Sequence, residues 1–133
     1  MLCEVQRRVA DVEVLAADCR DLGEVQVRFG AAAFFFGLSY FDDADAAMVL
    51  AELHRVMHPN ASLLLATVAG DPALTGVQVN TAGDRVFSFY RQKADIERLI
   101  LEAGFGVVHA AAIKSPANAS VQSKDIVVIG KRK

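Results

Sequence analysis

Tryptophan is absent from this 133-residue chain, cysteine occurs twice and proline three times. Cys3 and Cys19 form no C-x-x-C pair and join no Cys/His cluster. A zinc site of that kind is therefore excluded, and a structural disulfide is not expected. No apolar run approaches the ~18 residues of a membrane helix, and the stretch Ala31–Phe36 is far too short. Glu4, Arg7 and Arg8 are followed by no apolar signal core, so no secretory leader is expected there. Neither sign of charge dominates. Fourteen Lys and Arg against 16 Asp and Glu leave a net charge of −2, which supplies no long-range pull toward nucleic acid or an anionic membrane. The basic end Lys131-Arg132-Lys133 is shorter than a usual binding patch. Internal repeats and low-complexity linkers are missing too. The expected location is cytoplasmic, where the sequons at Asn60 and Asn118 carry no meaning.

What is present reads as one globular α/β domain. Apolar residues make up 53% and charged residues 23%, enough to bury a core at this length. Residues 2–9 read as the end of a short helix. Val12–Ala17 is β-rich, ends in Asp18 and predicts a buried strand, and the apolar run Ala31–Phe36 predicts a strand covered on both faces. Asp42 or Asp43 supplies an N-cap, with Asp45 adding negative charge in the first turn. Ala46, Ala47, Leu50, Leu53 and Met57 recur at helical spacing. His54, Arg55 and His58 fall in the expected last turn, and Pro59 is expected to stop the helix. Ser62–Val68 predicts the next buried strand, residues 70–85 a loop or flap, and Val86–Tyr90 a short extended piece. Residues 92–103 predict a second amphipathic helix closed by Gly104. Val107–Ile113 and Ile126–Ile129 then form a strand pair across a surface loop at Lys114–Lys124. With no helix between them, that pair is expected to be antiparallel. The alternation through the middle implies a mostly parallel sheet with helices on its faces, ending in an antiparallel C-terminal strand.

These segments resemble, in order and spacing, the C-terminal two-thirds of a class I S-adenosylmethionine-dependent methyltransferase of the small-molecule type. Met1-Leu2 with Arg7-Arg8 is similar to the "ML…RR" helix after that family's second strand. Val14 to Leu22 resembles its third strand and "D-x-R-x-L" signature, here Asp18-Cys19-Arg20-Asp21-Leu22. Phe34–Phe41 resembles the fourth strand and its turn, and Asp42–Pro59 the "DD…LxExxRVLxP" helix. Ala103-Gly104-Phe105 resembles the "AGF" before the sixth strand, and Ser123–Lys133 the closing strand, which in that family inserts antiparallel.

The resemblance implies a Rossmann-like fold and a set of roles. Asp18 would contact the adenine amino group and the Cys19 backbone N–H a ring nitrogen. Phe36, Gly37 and Leu38 would lie in the turn beneath the sulfonium. Tyr40, Phe87, Phe89 and Tyr90 would wall the site of a small-molecule acceptor. Methyl transfer needs an activated donor, a positioned acceptor and exclusion of water, often without a dedicated base, so no lone catalytic residue is expected. His54 and His58, spaced i, i+4, lack a third ligand, so no metal is expected.

Measured against that family, the first strand–helix–strand unit is missing, and the nine glycines restore no G-x-G-x-G loop. The resemblance assigns to that unit the contacts with the methionine and ribose parts of the cofactor. Residues 1–133 therefore read as a single, truncated methyltransferase-like domain, with S-adenosylmethionine binding weak or lost. The alternative reading is a non-catalytic methyltransferase-like interaction domain. The missing strands would orphan Val12–Ala17 and open the apolar edge of Ala31–Phe36. Either Val12–Ala17 moves in to pair with that edge, or two chains pair edge to edge.

Overall fold

A computed structural model describes residues 2–114, 117–118 and 124–133. Met1, Ser120, Ser123 and most of the loop expected between Lys114 and Lys124 lie outside the described residues. The elements are α1 (Leu2–Arg8), β1 (Phe29–Phe35), α2 (Asp43–Arg55), β2 (Met57–Ala69), β3 (Gly76–Val79), β4 (Arg85–Ser88), α3 (Lys93–Glu102), β5 (Phe105–Lys114) and β6 (Lys124–Arg132). Single 3-10 turns lie at Leu38–Tyr40 and Pro72–Leu74. No described helix is long and apolar enough to cross a membrane.

The main sheet has the order β1-β2-β6-β5. β1 and β2 run parallel, and β6 slots between β2 and β5 antiparallel to both. The expected antiparallel strand pair is therefore present, and β6 makes the sheet mixed. Side chains alternate between its faces. One face, carrying Leu63, Leu65, Ile126 and Val128, packs with Phe105 on Ala46 and Leu50 of α2 and on Ile96, Leu99 and Ile100 of α3 to form the core. The other carries Ala31, Ala33, Phe35, Leu64 and Ile129, all exposed. The strand expected to be covered on both faces is thus covered on one, because α1 buries none of its residues and neither α2 nor α3 reaches that side.

α2 starts where its capping residue says it should: the Asp42 carboxylate accepts the Asp45 N–H at 2.8 Å. It ends at Arg55 instead of running on to Pro59. β2 begins at Met57, and its pairing with β1 jumps from Phe29↔Met57 to Ala31↔Ser62. The residues between bulge out, with Asn60 in the left-handed region (φ 64°). Such a bulge accommodates Pro59, which has no N–H to give a ladder. His58 consequently lies on β2 and shares no helix face with His54.

Two further expectations are corrected. Val12–Ala17 forms no strand and does not pair with β1. The chain that follows it is instead tied to α2 by polar contacts. Arg20 reaches Asp45 at 3.1 Å, Glu52 accepts the Leu22 N–H at 2.6 Å, and Arg55 donates to the carbonyls of Leu22 (2.8 Å) and Val25 (3.2 Å). Those contacts hold the segment against the helix, so the β-rich composition of Val12–Ala17 meets no strand edge. The 70–85 stretch is also more ordered than a loop. Asp71 caps the Pro72–Leu74 turn, and β3 pairs antiparallel with β4 as a hairpin.

Candidate functional site

In an open α/β sheet, ligands bind beyond the carboxyl ends of the strands. Here the chain leaving β1 turns sharply at that end. Phe36 takes φ 56°, a left-handed conformation that is rare for a bulky residue. Its N–H is held by the Ala66 carbonyl at 2.7 Å, so the sheet itself enforces the turn. Backbone conformations of this kind concentrate at functional sites. At Gly37 a Cβ would sit 2.6 Å from the Phe34 ring, so close packing of the turn on the strand requires glycine there. Leu38 is fully buried, and Ser39 nearly so. Phe36 and Tyr40 remain about half exposed, at 48% and 55%, and are the side chains of this turn that face solvent.

The β3–β4 hairpin docks on the turn. The Phe89 N–H donates to the Ser39 carbonyl at 2.7 Å, and the Phe87 and Phe89 rings lie 5.0 Å apart. Tyr90 packs over Gly70 at the end of β2, where a Cβ would come within 2.9 Å of its ring. The expected acceptor residues therefore divide between two places. Tyr40, Phe87 and Phe89 gather at the β1 turn, whereas Tyr90 closes the end of β2.

Arg91 joins these parts, and sequence reasoning missed it. Its side chain is 8% exposed. The guanidinium donates to the carbonyls of Leu38 (3.1 Å) and Phe41 (2.6 Å) and to the Asp43 carboxylate (2.8 Å). It also lies 5.9 Å from the centre of the Phe89 ring. The Arg91 carbonyl in turn accepts the Gly70 N–H at 2.9 Å. One buried fork thus fixes the β1 turn, the start of α2 and the hairpin together. A lone arginine in a stretch read as extended gives no periodic signal; its two carbonyl partners, 50 and 53 residues away, are visible only in three dimensions.

Asp18 and Cys19 flank the same region. The Asp18 carboxylate accepts the Arg20 backbone N–H at 2.9 Å and pairs with its guanidinium at 2.7–3.2 Å. Bonding to the Arg20 side chain, then to its N–H, holds the Asp18 pKa down at about 2. Arg20 bridges on to Asp45 and lies 5.8 Å from the Phe41 ring, which draws Asp18 toward the turn. Partial burial, and then the Asp18 charge, raise the Cys19 thiol pKa. Among the described residues, no three His, Cys, Asp or Glu side chains come close enough to hold a metal.

A mixed sheet with an inserted antiparallel strand and helices packed on one face defines a class of fold. Solved structures that share it are S-adenosylmethionine-dependent methyltransferases and their structural kin. A Methanosarcina mazei SAM-dependent methyltransferase aligns with 87% of this chain at 14% identity and a TM-score of 0.73. The Burkholderia thailandensis 1,6-didemethyltoxoflavin-N1-methyltransferase, solved with S-adenosylhomocysteine, aligns with 98% at 17% identity and a TM-score of 0.70. The [4+2]-cyclase SpnF aligns with 98% at 12% identity and a TM-score of 0.75. The chain spans 65%, 56% and 60% of these three proteins, respectively. No protein-family model and no curated protein matches the chain. The chain has the class I methyltransferase fold over most of its length.

Proposed function

We propose that residues 1–133 form a single domain that carries the adenine and acceptor sides of an S-adenosylmethionine-dependent methyltransferase site, serving methyl transfer to a small-molecule acceptor. One observation carries this reading. The β1 turn and the aromatic hairpin meet at the carboxyl end of β1, where this architecture binds ligands, and Arg20, the partner of Asp18, lies 5.8 Å from the Phe41 ring that follows the turn. When bound, the cofactor supplies an electrophilic methyl group on sulfur. Asp18 would accept from the adenine amino group. Its two oxygens already accept four bonds from Arg20, about as many as a carboxylate has lone-pair sites, so an adenine contact would require the Arg20 side chain to give up one of them. Cys19 would offer its N–H to an adenine ring nitrogen. Phe36, Gly37 and Leu38 would form the turn beneath the donor, with the Leu38 carbonyl held in place by Arg91. Tyr40, Phe87, Phe89 and Tyr90 would orient the acceptor and keep water out.

The fit is partial. None of the described residues forms a G-x-G-x-G loop of the kind that the resemblance assigns to the methionine part of the cofactor. The 133-residue chain is therefore expected to bind S-adenosylmethionine weakly and to be impaired or inactive by itself. Calorimetric titration tests this, and low-micromolar affinity would overturn it. The reading includes a cytoplasmic location and no nucleic-acid or membrane partner, supported by the near-balanced charge. A second reading, a non-catalytic interaction domain, is favoured by the bare apolar sheet face beside a free edge. The [4+2]-cyclase among the neighbours is a reminder that the fold alone does not fix the reaction. A nucleoside retained through purification would favour the enzyme over the interaction domain.

A further inference from the structure

We infer that the cavity between the start of α3 and the ends of β2, β5 and β6 is a binding site for a small apolar molecule that carries a carboxylate. Its volume of about 430 Å³ falls within the range of small-molecule sites. Ala69, Ala112 and Ile126 give it an apolar lining, in which Ala69 and Ile126 are only 4% and 1% exposed. Gln92, Lys93 and Lys124 bring hydrogen-bond donors to its wall. Asp71 is the one carboxylate among the described lining residues, and it is already engaged, accepting the Ala73 N–H at 2.9 Å to cap its turn. The cavity opens at the carboxyl end of β2, where an open α/β sheet takes ligands. Its strand walls come from β2, β6 and β5, the part of the sheet away from the β1 edge.

The charges around the cavity select an anion. Lys124 stands directly opposite Lys114 on the ladder between β5 and β6, so both side chains leave the same face of the sheet. Ile126 and Ala112, the next pair on that face, line the cavity. Like charges directly opposite each other destabilise a strand pair. Neither lysine forms an ion pair with a described residue. Asp125, next along β6, is turned to the other face by the alternation of the strand. Lys93 adds a third cation. Its partner Glu97 lies 3.6 Å away, and the two side chains are 49% and 32% exposed, a weak surface pair that leaves ammonium protons free. A carboxylate held between Lys93 and Lys124 would offset the repulsion on the ladder. Three lysines against Asp71 and Glu97 leave one positive charge in excess, which suits a monoanion better than a dianion such as phosphate. The apolar lining calls for an apolar body behind that group.

Amide NMR of the whole chain tests this with three probes: hydrocinnamate, its uncharged amide hydrocinnamamide, and inorganic phosphate. Hydrocinnamate is expected to give saturable shifts at Gly70, Lys93, Ala112 and Lys124. Hydrocinnamamide, with the same apolar body and no charge, is expected to bind about tenfold more weakly (about 1.4 kcal/mol), and phosphate more weakly than hydrocinnamate. Lys124→Gln is expected to weaken hydrocinnamate about fivefold, the effect of removing a partly exposed ion pair, while leaving the amide probe unchanged. Ala112→Leu fills the cavity and is expected to exclude both organic probes. Should Ala112→Leu lose its fold, Lys124→Gln, at the exposed end of β6, carries the same test. Shifts confined to the bare sheet face at Ala33, Leu64 and Ile129 overturn the inference. Equal affinity for the two organic probes, phosphate binding as tightly as hydrocinnamate, or a folded variant that binds hydrocinnamate like the parent does so too. The titration contains no S-adenosyl ligand, so this inference and the methyltransferase reading fail separately.

Discussion

Replacing Arg91 by Met keeps the length and apolar stem of the side chain and removes the fork. Two of the lost bonds run from the guanidinium to the carbonyls of Leu38 and Phe41, at 3.1 and 2.6 Å in a largely buried setting. Bonds to a charged group contribute about 1.5–3 kcal/mol each. The third partner, Asp43, has a side chain 64% exposed, so that ion pair adds only about 0–1 kcal/mol after solvent screening. Against this, the variant no longer buries a cation, which returns part of the gain. The expected net loss is about 2–4 kcal/mol, read as a lower urea midpoint with an unchanged slope. Hydrogen exchange localises it. The Phe89 amide, bonded to Ser39, and the Gly70 amide, bonded to Arg91, are expected to lose protection before the core strands do. Arg91→Lys, a point charge unable to reach all three acceptors, is expected to fall between parent and Met variant. A loss below about 1 kcal/mol with Phe89 protection unchanged would refute the view that this side chain fixes the turn to the hairpin.

Three smaller expectations follow from the same geometry. The Asp18 carboxylate is expected to titrate near pH 2 by carbon NMR and to return toward about 4 in Arg20→Ala. Its folded pKa lies below the unfolded value, so the pairing stabilises the fold above about pH 4 and is lost as pH falls toward 2; an unchanged midpoint in Arg20→Ala would show that Arg20 is not the cause. Gly37→Ala is expected to cost about 1–3 kcal/mol, because its Cβ would meet the Phe34 ring at 2.6 Å, and a melting temperature equal to the parent's would contradict the close packing. Asp42→Ala, which removes the cap on Asp45, is expected to cost about 1 kcal/mol in urea unfolding; no change would mean that the cap is not needed to start α2.

Much of the architecture was legible because local chemistry and tertiary packing agree. The cap at Asp42, the apolar positions Ala46 and Leu50, the stripe Ile96, Leu99 and Ile100, and the left-handed Gly104 (φ 97°) each declare an element or its end. Failures came where a second partner decides. Val12–Ala17 has strand composition, but a strand needs an edge, and the chain beyond it is committed to α2 through Glu52 and Arg55. Pro59 reads as a helix stop from sequence, yet a bulge with Asn60 at positive φ lets β2 begin before it. Within the site, Gly37 was legible, through the resemblance, as part of the turn after the strand. Arg91 was not, since its meaning lies in carbonyls that the fold delivers from the far side of α2.

The account rests on the turn after β1 being part of an adenosine-sulfonium site, and an amide NMR titration with S-adenosylhomocysteine tests that most directly. The expected result is a set of shifts confined to Asp18–Arg20 and Phe36–Phe41, growing without saturation until the ligand exceeds about 100 µM, a binding free energy of about −5.5 kcal/mol. Shifts that leave both segments untouched, or saturation at low-micromolar ligand, would contradict it.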